Sequence, residues 1–318
     1  MRIKTNTHAQ VIQLLFFTSI FLFAFSTPQA RKSKDGSSSW YGEAIDVIKT
    51  RYSEEFIDSL RNRYRVDHSN SLRKNGPHQF TEYSEHLVYS VQWGFVKAGW
   101  GILSTRPRSD KTLELSAMAI SNNFVSAIYP VRDYIRCIVD EEGFYPLFFE
   151  EHINEGRYSA NRWELYDHKK GKVHASKKKN RSDSMDLFIQ TYLSAFYYFR
   201  AQKWDVGDTI HIKTFASGKS YPLDFVCVGK ENFEIDGKNY VTLEVVPFLK
   251  KKAMIFGRGD KISVLMTDDE SRIPLYVKAQ IKLGHVAATL VHSERHKVTD
   301  RNSVPALPQK TNVTRLKR

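Results

Sequence analysis

Two cysteines in 318 residues, Cys137 and Cys227, exclude a disulfide framework and a thiolate metal site. Each sits in an apolar strand pattern and reads as a small buried hydrophobe. A disulfide between them stays open, because spacing along the chain does not say whether their Cα atoms approach. Nucleotide and nucleophile motifs are missing as well. There is no P-loop, G-x-S-x-G, H-E-x-x-H or dinucleotide fingerprint. The eleven histidines are scattered, and His86, His152 and His211 can meet only across strands, so neither a metal nor another cofactor is expected. No βαβ unit and no internal repeat is present, which sets aside doubly wound and solenoid folds. The apolar stretch nearest in length to a membrane span, Val11–Phe25, covers only 15 residues.

That stretch has the layout of a secretory signal over residues 1–30. Arg2 and Lys4 precede it, and small residues follow at Ala24-Phe25-Ser26 and Pro28-Gln29-Ala30. An uncleaved anchor is the alternative. The expectation is an exported protein of the periplasm or outer envelope, soluble after signal cleavage.

Residues 31–84 read as a polar linker and an amphipathic helix, Glu43–Arg65, in which Ile45, Ile48, Tyr52, Ile57, Leu60 and Tyr64 recur at helical spacing. From Glu85 the period changes to two, with Leu87, Tyr89, Val91 and Trp93 on one face. Similar runs continue to Ser293, bounded by turn residues such as Asn154-Glu155-Gly156, Lys169-Lys170-Gly171 and Asp236-Gly237. One segment breaks the pattern. Ser184–Arg200 is apolar around most of a helical circumference and is expected to be a helix enclosed by other elements. The fold expected is mainly β: a single large curved antiparallel sheet, or partly closed β-barrel, wrapped on that central helix. The β-rich domain is assigned to 85–293, and 294–318 to a basic disordered tail.

The net charge is +13 and is concentrated. Lys169, Lys170, Lys172, Lys177, Lys178, Lys179 and Arg181 lie within 13 residues, and Lys250-Lys251-Lys252 form a second cluster. For an exported chain the fitting partners are anionic membrane or polysaccharide surfaces met through basic hairpins, rather than nucleic acid. The bland alternative is solvated hairpin ends.

Aromatic residues are abundant, with 20 Phe, 16 Tyr and 5 Trp. Trp93, Trp100, Phe148, Trp163, Tyr192, Phe196 and Tyr197 are candidates to line a cavity between sheet and helix, with Asp133 and Arg136 as charged groups at its mouth. Such a cavity suits a lipid-like ligand; a glycan is the alternative, since rings along a groove also stack on sugars. For Asp133 and Arg136 the bland reading is an ion pair, and for the aromatics a filled core. Asp268-Asp269-Glu270-Ser271-Arg272 reads as a surface hairpin, because neighbouring carboxylates on one turn lack the separation that glycoside hydrolysis needs. Three functions stay open: non-enzymatic ligand binding, binding or cleavage of envelope polysaccharide, and a structural or assembly role in the envelope.

The segments E-H-L-V-Y-S-V-Q-W-G-F-V-K-A-G-W-G from Glu85, Y-P-V-R-D-Y-I from Tyr129, L-S-A-F-Y-Y-F-R from Leu193, V-G-D from Val206, T-D-D-E-S-R-I-P-L from Thr267 and the closing G-H-V-A-A-T-L together resemble the DUF3108 family of exported bacterial proteins of unknown function. The resemblance covers 85–293. It implies export and a β-rich domain with a helix against the concave side of its sheet. It supplies no catalytic residues.

Overall fold

Alternating apolar residues dictate strands, and short Gly- and Asp-bearing turns return each strand antiparallel to the last. The computed structural model describes residues 39–176, 182–216, 218–249, 261–281 and 284–306. The signal segment, Lys177–Arg181 of the first basic cluster and Lys250–Lys252 lie outside these residues. The described chain is mainly β, with one large antiparallel sheet and few helices. Its first strands are β1 (Tyr83–Trp93), β2 (Val96–Pro107), β3 (Thr112–Ser121), β4 (Arg132–Asp140) and β5 (Pro146–Glu155). β6 (Tyr158–Asp167), β7 (Lys172–Ala175) and β8 (Ser182–Ser184) follow. The second half contains β9 (Thr209–Ala216), β10 (Lys219–Ile235), β11 (Lys238–Leu249), β12 (Lys261–Thr267), β13 (Pro274–Ile281) and β14 (Gly284–Lys297). Each half is a meander, and β1 joins them by pairing with β14, from Tyr83 opposite Lys297 to Trp93 opposite Val286.

The sheet edges, β8 and β9, do not pair, so the sheet is not closed. It nevertheless curls. Tyr166 on β6 and Phe215 on β9 stand many strands apart in the sheet, yet their ring centroids are 6.2 Å apart. Residues 185–190 run between the edges. Met185 donates its N–H to Gly171 O (2.9 Å), Gln190 donates to Lys213 O (2.9 Å), and Phe215 donates to Gln190 O (2.8 Å).

These bonds correct the expected helix Ser184–Arg200. Only Tyr192–Arg200 is helical, and its first half is replaced by strand pairing and the crossing. The start is a capping box: Thr191 Oγ1 accepts from Ser194 N–H (3.0 Å), and Ser194 Oγ accepts from Thr191 N–H (2.9 Å). Leu193, Phe196, Tyr197 and Phe199 share one apolar cluster with Leu87, Leu115, Ile135, Phe149, Leu243 and Val286 from the inner face of the sheet.

The helix expected over Glu43–Arg65 is two: α1 (Ser39–Ile48) and α2 (Glu54–Tyr64). Both lie on the outer face. α1 packs Ala44 and Val47 on Val88, Met118 and Tyr134, while α2 packs Ile57 and Leu60 on Ile138, Phe148 and Leu165. The break falls at Tyr52, whose backbone binds the sheet rather than the helix. Tyr52 N–H donates to Glu150 Oε2 (2.8 Å), and Tyr52 O accepts from Arg136 (2.8 Å). A short helix, α3 (Asn123–Ser126), joins β3 to β4, and Tyr192–Arg200 is α4. The tail boundary also moves. β14 continues to Lys297, and Arg301 then binds both carboxylate oxygens of Glu141 (2.6 and 2.7 Å).

Hairpin tips gather at two ends. The lower end holds Tyr83, Thr112, Asp140, Thr267 and Lys297; the upper end holds Trp93, Val96, Ser121, Arg132 and Gly284.

Candidate functional site

Alternation explains why the nine expected site residues do not line one cavity. Trp100, Arg136, Phe148 and Trp163 belong to the outer face, under or beside α1 and α2. Phe196 and Tyr197 are buried in the inner core, with Trp93 and Tyr192 packed against it. Asp133 and Arg136 are three residues apart on one strand, so they project from opposite faces and form no ion pair with each other. Cys137 and Cys227 are separate buried thiols.

Arg136 is 0 % exposed. It binds Glu150 through Nε, Glu114 (3.4 Å) and Glu54 (3.2 Å) through Nη1, and Tyr52 O through Nη2. This guanidinium clamps the α1–α2 junction to the sheet.

Asp133 sits on the inner face at the upper end. It accepts from Asn154 N–H (2.9 Å) and shares a side-chain hydrogen bond with Glu155. The pair's remaining oxygens, Asp133 Oδ2 and Glu155 Oε1, have no other donor. Burial, then the neighbouring carboxyl, pushes Asp133 well above the usual carboxylate range, and burial lifts Glu155 to about 7. Burial also lifts Glu164 to about 7. A carboxyl whose pKa rises on folding binds extra protons in the folded state, so stability falls as pH rises through that value. Thermal midpoints are expected to drop from pH 6 to pH 8, and Glu155→Gln/Glu164→Gln should flatten that slope. An unchanged slope in the double variant would remove these groups as its source.

Among the described residues a cleft of about 690 Å³ lies elsewhere, at the lower end, bounded by three pieces of chain. The first is the end of α4, with Arg200, Lys203 and Trp204. Trp204 is fixed by its indole N–H donating to Phe199 O (3.0 Å) and by stacking on the Phe199 ring at 4.6 Å. The second is the β12–β13 turn. Asp269 Oδ1 builds it by accepting from Ser271 N–H (2.8 Å) and Thr267 Oγ1 (2.9 Å), while Arg272 adopts a left-handed φ of 45°. The acidic run is therefore turn scaffolding. The third is the start of β1 with Arg295 of β14. Gln79 ties this side to the turn by donating to Glu270 O (2.7 Å).

The cations of the cleft rest on aromatic rings. Arg272 lies 4.3 Å over Trp204 and Arg295 4.3 Å over Tyr83. Arg272 also donates to Asp268 (3.2 Å) and Trp204 O (2.9 Å), and Arg295 to Ser271 Oγ (2.9 Å). Beneath them Arg200, 1 % exposed, grips Glu85 with two bonds (2.8 and 3.0 Å) and donates to Arg272 O and Ser271 O. Lys203 and His78 add exposed basic groups to the lining, and Glu82 and Glu270 add exposed acidic ones. Arg200 is neutralised by Glu85 and Arg272 is paired with Asp268, so Arg295 and Lys203 are the exposed cations of the opening.

Sequence reasoning missed this cleft. One signal was present: Arg200 ends a largely apolar helix, and a buried guanidinium demands a partner.

The sequence model of a family described as "Protein of unknown function (DUF3108)" matches residues 88–291. Among solved structures, a β-barrel-like protein of the domain of unknown function DUF1849 from Brucella abortus is similar at 11% identity and a TM-score of 0.45. That match covers 67% of this chain and 98% of the other. A DUF1089 family protein from Pseudomonas aeruginosa is similar at 12% identity and a TM-score of 0.34, covering 57% of this chain and 90% of the other. No curated protein matches this chain.

Proposed function

We propose, for a chain that belongs to the DUF3108 family of proteins of unknown function, that it is an exported cell-envelope protein that binds an acidic amphipathic ligand without catalysis. Export is supported by the N-terminal pattern of Arg2, Lys4 and the apolar stretch Val11–Phe25. The observation that carries the binding reading is the pair of guanidinium groups stacked on Trp204 and Tyr83 at the rim of the 690 Å³ cleft. That volume is in the range of small-molecule sites, roughly 300–1,000 Å³. Stacking holds each cation in place before a ligand arrives, so less side-chain entropy is lost on binding. It also covers one face of both rings, which favours a carboxylate or phosphate head group over a stacked neutral sugar. An acyl or other apolar body would lie against the ring edges.

Lys203 and Arg295 are exposed and tolerate replacement better than the buried Arg200. Titration calorimetry with a short-chain phosphatidic acid should show saturable binding that Lys203→Glu/Arg295→Glu weakens at least tenfold, at unchanged thermal midpoint. Equal affinity in the double variant would remove the cleft as the site.

A further inference from the structure

We propose that the upper end of the sheet, opposite the cleft, is a docking surface for an anionic lipid bilayer. The β1–β2 turn is a two-residue loop, since Trp93 pairs directly with Val96. Gly94 takes its first position with φ +58°, which glycine accepts without strain, and Phe95 is left at the tip. Phe95 is 101 % exposed and Val96 44 %. A phenylalanine in that position adds nothing to the core and exposes its whole ring to water.

A second apolar group stands beside it. Asn122 caps α3 and also donates to Lys97 O and, through its backbone N–H, to Ala98 O (2.9 Å), which ties the β3–β4 connection to the β1–β2 hairpin. Phe124 (51 % exposed) and Ile128 (40 %) project from that connection. The β5–β6 turn extends the strip: Gly156 N–H donates to Pro130 O (2.8 Å) and places the exposed Arg157 next to it.

Charge selects the occupant. Lys97, Arg157 and Lys219 are exposed at this end. Exposed aromatics flanked by basic residues match the interfacial zone of a bilayer. The rings enter the head-group boundary, and each cation near the surface adds attraction to acidic lipids. The N-terminal chain meets the same end. Glu43 of α1 pairs with Arg132 (3.0 Å) at the top of β4, and Tyr52, further on, binds Arg136 lower on that strand. α1 therefore descends from the upper end.

Flotation of the full chain with phosphatidylcholine vesicles, with and without phosphatidylglycerol, tests the docking surface. The wild type should float with the acidic vesicles and much less with the neutral ones. Phe95→Asp/Phe124→Asp should lower the bound fraction at least tenfold while leaving thermal unfolding unchanged, because neither side chain is packed. Undiminished flotation of the double variant would overturn the proposal, leaving the N-terminal segment or charge alone as the cause. So would a wild type that ignores both vesicles, or one that is captured by an acidic polysaccharide and not by lipid. The cleft's ligand affinity is read separately and is expected to be the same in both proteins.

Discussion

Replacing Arg200 with methionine is expected to lower folding stability by about 3–5 kcal/mol, the range for removing one partner of a buried ion pair. The side chain is 1 % exposed, and Glu85, its bidentate partner, is 3 % exposed. Without the guanidinium, Glu85 keeps a buried charge with no cation to offset it. Three aromatic rings also lose a cation: Phe80 and Tyr197, at 5.1 and 5.3 Å, and Phe196, at 6.0 Å. The carbonyl of Arg272 loses its side-chain donor and that of Ser271 keeps only Gln79, so the β12–β13 turn loosens and the cleft loses one wall. Urea unfolding measures the loss. The informative control is Arg200→Met/Glu85→Leu, which removes both charges and should recover a large part of the stability, while leaving the Arg272 carbonyl without its donor. A single variant within about 1 kcal/mol of wild type would mean that the pair is more hydrated than its burial indicates.

Arg136→Met should destabilise by a similar amount, about 3–5 kcal/mol, through a different set of elements. It removes the guanidinium partner of Glu150, leaves Glu114 with Arg106 and Arg108 alone, and frees the carbonyl of Tyr52. Burial alone would raise Glu114, but Arg106, Arg136 and Arg108 overcome it and hold the carboxyl at about 2, below its ordinary value of 4.5. The sign follows directly. A carboxyl lowered on folding contributes stability that is complete above its unfolded pKa and is lost as pH falls from about 4.5 through about 2. In Arg136→Met the Glu114 pKa rises, so less of that contribution remains to be lost in acid. Acid titration of wild type and variant by circular dichroism tests this. Their stabilities should converge as pH falls towards 2, and a constant gap would contradict the assignment. Proteolysis offers a second check, because α1 and α2 should become cleavable before the sheet does.

Much of the fold was legible because the physics that makes it is local. Period-two alternation from Leu87 onward, and turns such as Asn154-Glu155-Gly156 and Asp236-Gly237, specify strands and their reversals without reference to distant chain. The helix limits were less legible. Met185, Leu187, Phe188 and Ile189 suit a helix and an apolar crossing equally well, and the choice is made by Lys213 and Phe215, which are remote in sequence. The break at Tyr52 has the same origin, since Arg136 and Glu150 compete for its backbone. At the site, the parity of strand positions settles the matter. Even-numbered Arg136 and odd-numbered Asp133 cannot share a cavity on one strand, and Phe148 and Trp163 fall under the helices for the same reason. The cleft residues were hidden by distance along the chain: Glu85 and Arg200 are 115 positions apart. Three of the segments that carry the family resemblance, beginning at Glu85, ending at Arg200 and containing Ser271-Arg272, meet at this one place.

Native followed by denaturing mass spectrometry of the protein purified from an exporting host, without harsh detergent, puts the binding claim to its most direct test. The expected spectrum shows the folded chain carrying an extra mass that is released on denaturation. That mass should fragment as an acid-headed amphiphile and should be missing from Lys203→Glu/Arg295→Glu. A bare chain mass for the folded wild type, or a released neutral glycan, would contradict the reading of the cleft as an anion-receiving site.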